Sequence, residues 1–248
     1  MKKFNDEHFI YAAIIGIGII ALLFLQKKKE RVVARYPQSN QLHLEDYKNY
    51  QIGIDVSHHQ GNINWKEVKE QDIVKFVYVK ATEGATFRDN RYSQNVEDLI
   101  KNELPVGAYH YFKPKSPVKK QFQNYMSTIS SYKHHLIPMI DVEESNGMKS
   151  EKLVDSLKLF IKLIEAEYNV KPMIYTGNVF YNTHLKHDFE NYKICIGRYS
   201  KRKPLLEDKN TWAIWQYSER GSIKGIPSKV DLNILNSDIS LNDLKLNP

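Results

Sequence analysis

Asp141 and Glu143 stand two residues apart at the end of an apolar run, residues 136–142. The run reads as a buried strand, and side chains two apart on a strand share a face. At about 3.3 Å of rise per residue, their Cα atoms sit about 6.5–7 Å apart. Two like charges at the end of a hydrophobic strand are costly unless something uses them. Their proximity also drives their proton affinities apart, which acid–base chemistry requires. The same D-x-E spacing could instead cap a helix or sit in a cation-paired loop, so the rest of the chain has to decide.

Short apolar runs recur from residue 51 onward, at 52–56, 74–80, 106–112, 136–142, 171–175, 194–199, 212–217 and 230–235. Helical spacing of apolar residues fills 65–71, 92–103, 118–130 and 151–167; the last places Leu153, Val154, Leu157, Phe160, Ile161 and Ile164 on one face. Strands alternating with helices imply parallel strands joined by crossovers. Eight of them predict an α/β fold: a closed, TIM-like β/α barrel whose last third is irregular and poor in helix. Such a barrel carries its chemistry at the C-terminal strand ends. Asp55 ends the first run, Glu83 follows the second, and His110 and Tyr111 close the third. Asp141 and Glu143 close the fourth, Tyr175 the fifth, Arg198 the sixth, and Trp215 with Gln216 the seventh; Asp231 lies early in the eighth.

Four carboxylates at one mouth, Asp55, Asp141, Glu143 and Asp231, exceed what a neutral ligand needs. Aromatic faces among them, Tyr109, Tyr111, Tyr175, Trp215 and Tyr217, suit the apolar faces of sugar rings. A carboxylate pair flanking a glycosidic bond is the usual apparatus of glycoside hydrolysis. The longer Glu143 is the expected proton donor, with Asp141 its ionised neighbour.

The composition narrows the class. The 248 residues suffice for one sizeable domain with a short extension. The single Cys195 lies in an apolar run and reads as a core residue, with no intrachain disulfide possible. No His/Cys spacing suggests a metal site, since the adjacent pairs His58-His59 and His134-His135 would face opposite sides of a strand. No cofactor is expected. A net charge of +7 suits an anionic partner, but no phosphate loop, zinc finger or basic helix points to nucleic acid. Residues 1–8 form a short flank, and 9–25 an uncharged apolar run at the short edge of transmembrane length. An uncleaved anchor is favoured over a signal peptide, because lysines rather than a small-residue cleavage site follow it. The cations of that following flank oppose an external body under the positive-inside rule, yet whole domains translocate largely regardless of charge. Residues 26–50 read as a linker and 51–248 as the barrel domain.

Several separated segments carry a resemblance. Gly53-Ile-Asp-Val-Ser-His-His-Gln-Gly61, Lys80-Ala-Thr-Glu-Gly84, Gly107-Ala-Tyr-His-Tyr-Phe112, Met139-Ile-Asp-Val-Glu143, Trp215-Gln-Tyr217 and Val230-Asp-Leu-Asn233 occur in that order. Together, over about residues 51–236, they resemble the glycoside hydrolase family 25 muramidases, the Chalaropsis-type lysozymes. The resemblance implies a flattened β/α barrel that hydrolyses the β-1,4 bond between N-acetylmuramic acid and N-acetylglucosamine in peptidoglycan. It places Glu143 on the family's proton donor, Asp141, Asp55 and Asp231 on its other active-site acids, and the segment 109–112 and Trp215 near the saccharide groove. His59 stands where the family often has an aromatic residue. Two mechanisms stay open: an acid positions the substrate's own N-acetyl group for attack, or Asp55 or Asp231 activates water. The expected partners are peptidoglycan strands and, through the N-terminal run, a membrane, with a monomeric barrel outside the cytoplasm. Two competing expectations are a barrel that binds wall glycan without cutting it, and a hydrolase of another N-acetylhexosamine polymer.

Overall fold

The computed structural model describes residues 50–246. The expected anchor at 9–25, and the linker but for its last residue, lie outside the described residues. Among the described residues no helix is long and apolar enough to cross a membrane.

Eight strands close a barrel in the circular order β1 (Ile52–Val56), β2 (Val74–Glu83), β4 (Val106–Tyr111), β5 (Met139–Asp141), β6 (Met173–Gly177), β7 (Ile194–Gly197), β8 (Trp212–Gly221) and β9 (Val230–Leu235). β1 pairs with both β2 and β9, so the barrel has no free seam. A two-residue strand, β3 (Phe87–Arg88), folds back antiparallel on the end of β2 and went unpredicted. Helices Trp65–Glu70, Tyr92–Lys101, Val118–Ile129 and Ser150–Tyr168 follow the strands of the first two-thirds. After β6 come the short turn Asn178–Phe180, a π turn at Tyr181–Leu185 and, past β9, a 3-10 turn at Leu241–Leu244. The helix-poor final third is therefore as expected.

One expectation needs correction. The strands are not all parallel, because β9 runs antiparallel to both its neighbours, β8 and β1. A hairpin replaces the crossover, since residues 222–229 are too few to hold one. The reversal explains Asp231: a residue early in a reversed strand lies at the same rim as residues late in the others, and Asp231 pairs directly with Asp55. The fourth run is also shorter than expected. Pro138 lacks an N–H, and residues 136–137 instead face the C-terminal segment, with Ile137 N–H donating to the Leu244 carbonyl at 2.8 Å.

Alternation splits the apolar residues into two cores. Ile54, Val77, Val79, Ile140, Ile174 and Ile196 point outward to meet Leu99, Tyr125, Leu157, Phe160 and Ile161 of the helices. Phe76, Tyr78, Met139, Met173, Cys195, Ile214 and Leu235 fill the inside, closed below by Leu244. Cys195 is thus the core residue expected. Gly53 admits the Phe76 ring to the barrel axis; a Cβ there would lie 2.2 Å from its carbons. The filled interior leaves a hollow at the upper rim.

Candidate active site

The hollow rim is a cavity of about 230 Å³, and all four predicted carboxylates line it. Each arrives by alternation. Asp55 lies two residues past Gly53 on β1, Asp141 two past Met139 on β5, and Glu143 two beyond Asp141 where the strand has ended. Tyr109, Tyr111, Tyr175 and Gln216 also line the cavity, as predicted.

Their neighbours in sequence do not. His110 and Trp215 sit one residue from inward-facing positions and point out through the wall. His110 is fully buried, its Nδ1 2.7 Å from Thr82 Oγ1, its Nε2 3.1 Å from Gln121 Oε1, and its ring stacked on Phe160. Trp215 is buried against Trp212 and Tyr217 in the outer core, and its Nε1–H donates to the Arg198 carbonyl at 2.7 Å. Tyr217 is buried there too. Arg198 donates from Nη1 to Asn178 Oδ1 at 2.9 Å, and Glu83 is engaged by Lys80 and Lys113; neither lines the cavity. The expectation that paired neighbours such as 110/111 and 215/216 both serve the mouth conflicts with strand alternation.

Two carboxylate pairs result. Asp55 and Asp231 are hydrogen-bonded across the β1–β9 seam. Asp55 Oδ2 also accepts from Gln216 Nε2 at 2.9 Å and Asn233 Nδ2 at 2.8 Å. Gln216 is oriented in turn, its Oε1 accepting from the hydroxyls of Tyr175 and Tyr199 at 2.7 Å each. Burial raises Asp55, and bonds from Asn233, Gln216 and Asp231 oppose the rise. Burial, then the charge of Asp55 and the bond to it, pushes Asp231 up to about 9. Burial therefore raises both members of this pair above the usual carboxylate range.

Asp141 and Glu143 form the second hydrogen-bonded pair. Asp141 is buried, and its Oδ1 receives no N–H or O–H from the surrounding protein groups other than that neighbouring carboxyl. Burial, then the charges of Glu143 and Asp55, holds it well above the usual carboxylate range. Glu143 projects into the open mouth; burial of its inner part raises it, and a bond to Tyr175 opposes the rise. Burial thus raises both carboxyls, and the pair keeps a proton to higher pH than exposed carboxyls do.

Several contributors were not singled out from sequence. Asn233 could have been, because it lies two residues from Asp231 on one strand face. Lys80 could have been too, two residues past Tyr78 on β2, whereas Tyr199 lines the cavity from beyond the end of β7. Asp89 is legible only in three dimensions. Its Oδ2 accepts from the His58 backbone N–H at 2.9 Å and lies 2.7 Å from His58 Nδ1, while Oδ1 accepts from Arg91 N–H at 2.9 Å. This clamp fixes the turn His58–Gln60, capped by Ser57, which presents His59 and Gln60 to the cavity.

Comparison with known proteins agrees with this geometry. The chain matches the model described as glycosyl hydrolases family 25 over residues 54–226. An uncharacterized Escherichia coli protein, YegX, is 31% identical over 236 residues, 94% of this chain and 83% of that protein. Lysozyme M1 of Streptomyces globisporus is 29% identical over 198 residues, 74% of this chain and 67% of that protein. A family 25 glycosyl hydrolase structure from Bacillus anthracis aligns with a TM-score of 0.72 at 31% identity, covering 82% of this chain and 96% of that chain.

Proposed function

The chain belongs to glycosyl hydrolase family 25, and from that premise we propose how its four acids divide the labour of a peptidoglycan muramidase. The enzyme hydrolyses the β-1,4 bond between N-acetylmuramic acid and N-acetylglucosamine. Glu143 is the proton donor to the leaving oxygen. Asp141 accepts the N–H of the substrate's 2-acetamido group, and the acetamido carbonyl oxygen attacks the anomeric carbon as the glycosidic bond breaks. Water then opens the cyclic intermediate, giving its proton back to Glu143.

The observation that carries this reading is the buried Asp141 Oδ1, which the surrounding N–H and O–H groups leave to its carboxyl neighbour. Asp55 suits the role of water base poorly, since two amides and Asp231 already bond it. A substrate N–H at Asp141 stabilises its ionised form and so favours the proton of the pair on Glu143, where the leaving group needs it. The first-formed product anomer tests the route. Peptidoglycan digestion followed at once by NMR is expected to release β-anomeric N-acetylmuramic acid ends, with net retention. Initial α-anomer would show direct attack by water and sink the assisted route.

We also propose that residues 9–25 anchor the enzyme, with the barrel on the outer side of the membrane. Its support is the length of the apolar run and the location of peptidoglycan outside the cytoplasm. A topology reporter fused after Pro248 is expected to read external; a cytoplasmic signal would remove the substrate from reach.

A further inference from the structure

Lys80 is the single lysine or arginine among the described residues that line the mouth, opposite four carboxylates. Alternation along β2 aims it inward, two residues beyond Tyr78, and its side chain is only 12% exposed. A lysine at a rim ordinarily swings into water. Here its Nζ lies 2.7 Å from Glu83 Oε2, 5.1 Å from the Tyr111 ring centre and 5.5 Å from that of Phe87. Lys113 lies 4.5 Å from the Tyr111 ring centre, 3.1 Å from Glu83 Oε1 and 2.8 Å from Glu144 Oε1. A chain of alternating charge, Lys80–Glu83–Lys113–Glu144, therefore crosses the ends of β2 and β4. It stops on the residue next to Glu143.

We propose that Lys80, held by Glu83 and braced by Lys113 and Glu144, is a positioning residue. Its charge offsets the carboxylates of the mouth and sets the pH range in which Asp141 and Glu143 share one proton. The inference rests on the muramidase reading of the same site. The groups facing the pair are the carboxyls of Asp55 on β1 and Asp231 on β9, and the hydroxyls of Tyr109 and Tyr111 on β4, Tyr175 on β6 and Tyr199 after β7. His59 closes the wall from the first turn. Lys80 brings the one lysine or arginine side chain to this set of described residues. A nearby cation favours ionised carboxylates, and Lys80 lowers the proton affinity of both Asp141 and Glu143. Removing it leaves both acids holding their protons to higher pH. The acid limb of kcat/KM reports the member that must be ionised and the alkaline limb the member that must be protonated. Both limbs should move the same way.

The experiment is the pH profile of kcat/KM on soluble peptidoglycan fragments at fixed ionic strength, with thermal unfolding of each variant alongside. Lys80→Met in the full chain is expected to shift both limbs upward by about one pH unit, while Lys80→Arg keeps the wild-type limbs. Lys113→Met removes the brace but not the charge in the cavity, so it should move both limbs in the direction of Lys80→Met but by less. Glu83→Gln frees Lys80 to leave the mouth and should shift the limbs in the direction of Lys80→Met. A folded Lys80→Met with wild-type limbs overturns the proposal, as does a Lys80→Arg shift equal to that of Met. Should Lys80→Met not fold, an unshifted Glu83→Gln overturns it instead. Wild-type protein inactive on peptidoglycan would overturn the muramidase reading.

Discussion

Replacing Glu143 by Gln is expected to lower kcat on peptidoglycan by about 10³-fold, within the 10²–10⁴ range that a positioned acid contributes. The change is nearly isosteric, and Glu143 is an exposed rim residue beyond the end of β5. Folding should therefore be untouched, and KM should stay near its wild-type value. The leaving group is a sugar hydroxyl, a poor leaving group as an alkoxide, so the proton it receives carries most of the barrier reduction at that oxygen. A substrate with an acidic phenol as leaving group needs no such proton. Glu143→Gln should consequently recover much of its activity on an aryl glycoside of the same sugar. Asp141→Asn should lose activity on both substrates, because it acts on the attacking amide and not on the departing oxygen. Equal activity of Glu143→Gln and wild type on peptidoglycan would withdraw the donor assignment. Rescue of Asp141→Asn by the phenol would exchange the two roles.

The largest expected effect on stability lies at Gly53. Alanine there would put its Cβ 2.2 Å from two carbons of the fully buried Phe76 ring and 2.6 Å from a third. The ring has no empty volume to enter, since Tyr78, Met173 and Leu235 occupy the same interior. Overpacking of this kind costs about 3 kcal/mol or more, a large part of a total stability of about 5–15 kcal/mol. Urea unfolding of Gly53→Ala should show it. A second substitution, Phe76→Leu, should restore part of the loss in a double-mutant cycle; purely additive losses would contradict the contact. Activity should fall as well, because Asp55 sits two residues along the same strand face.

Much of this arrangement was legible because it is local. The runs 52–56 and 230–235 coincide with β1 and β9, and the four acids stand where strand ends place them. The assignments that failed have two physical origins. Trp215 and His110 were assigned to the mouth by residue type, although their positions one residue from Gln216 and Tyr111 already put them on the other face. The direction of β9 is a property of the closed barrel, because only pairing to β1 and β8 determines it. The same holds for the Asp89–His58 clamp, whose partners lie 31 residues apart on different elements.

The reversed last strand also decides by which pole the enzyme can be held. β1 climbs from the base towards the mouth, and β9 descends from the mouth to the base, where Leu235 N–H meets the Gln51 carbonyl at 3.0 Å. The following segment stays there, its Leu246 N–H donating to the His135 carbonyl below the start of β5 at 2.9 Å. Had β9 run parallel, it would have released the chain beside the acids. Instead, both exits lie on the pole opposite the catalytic opening. Both described ends of the chain thus leave the barrel by its foot, and a polymer entering the mouth meets neither of them.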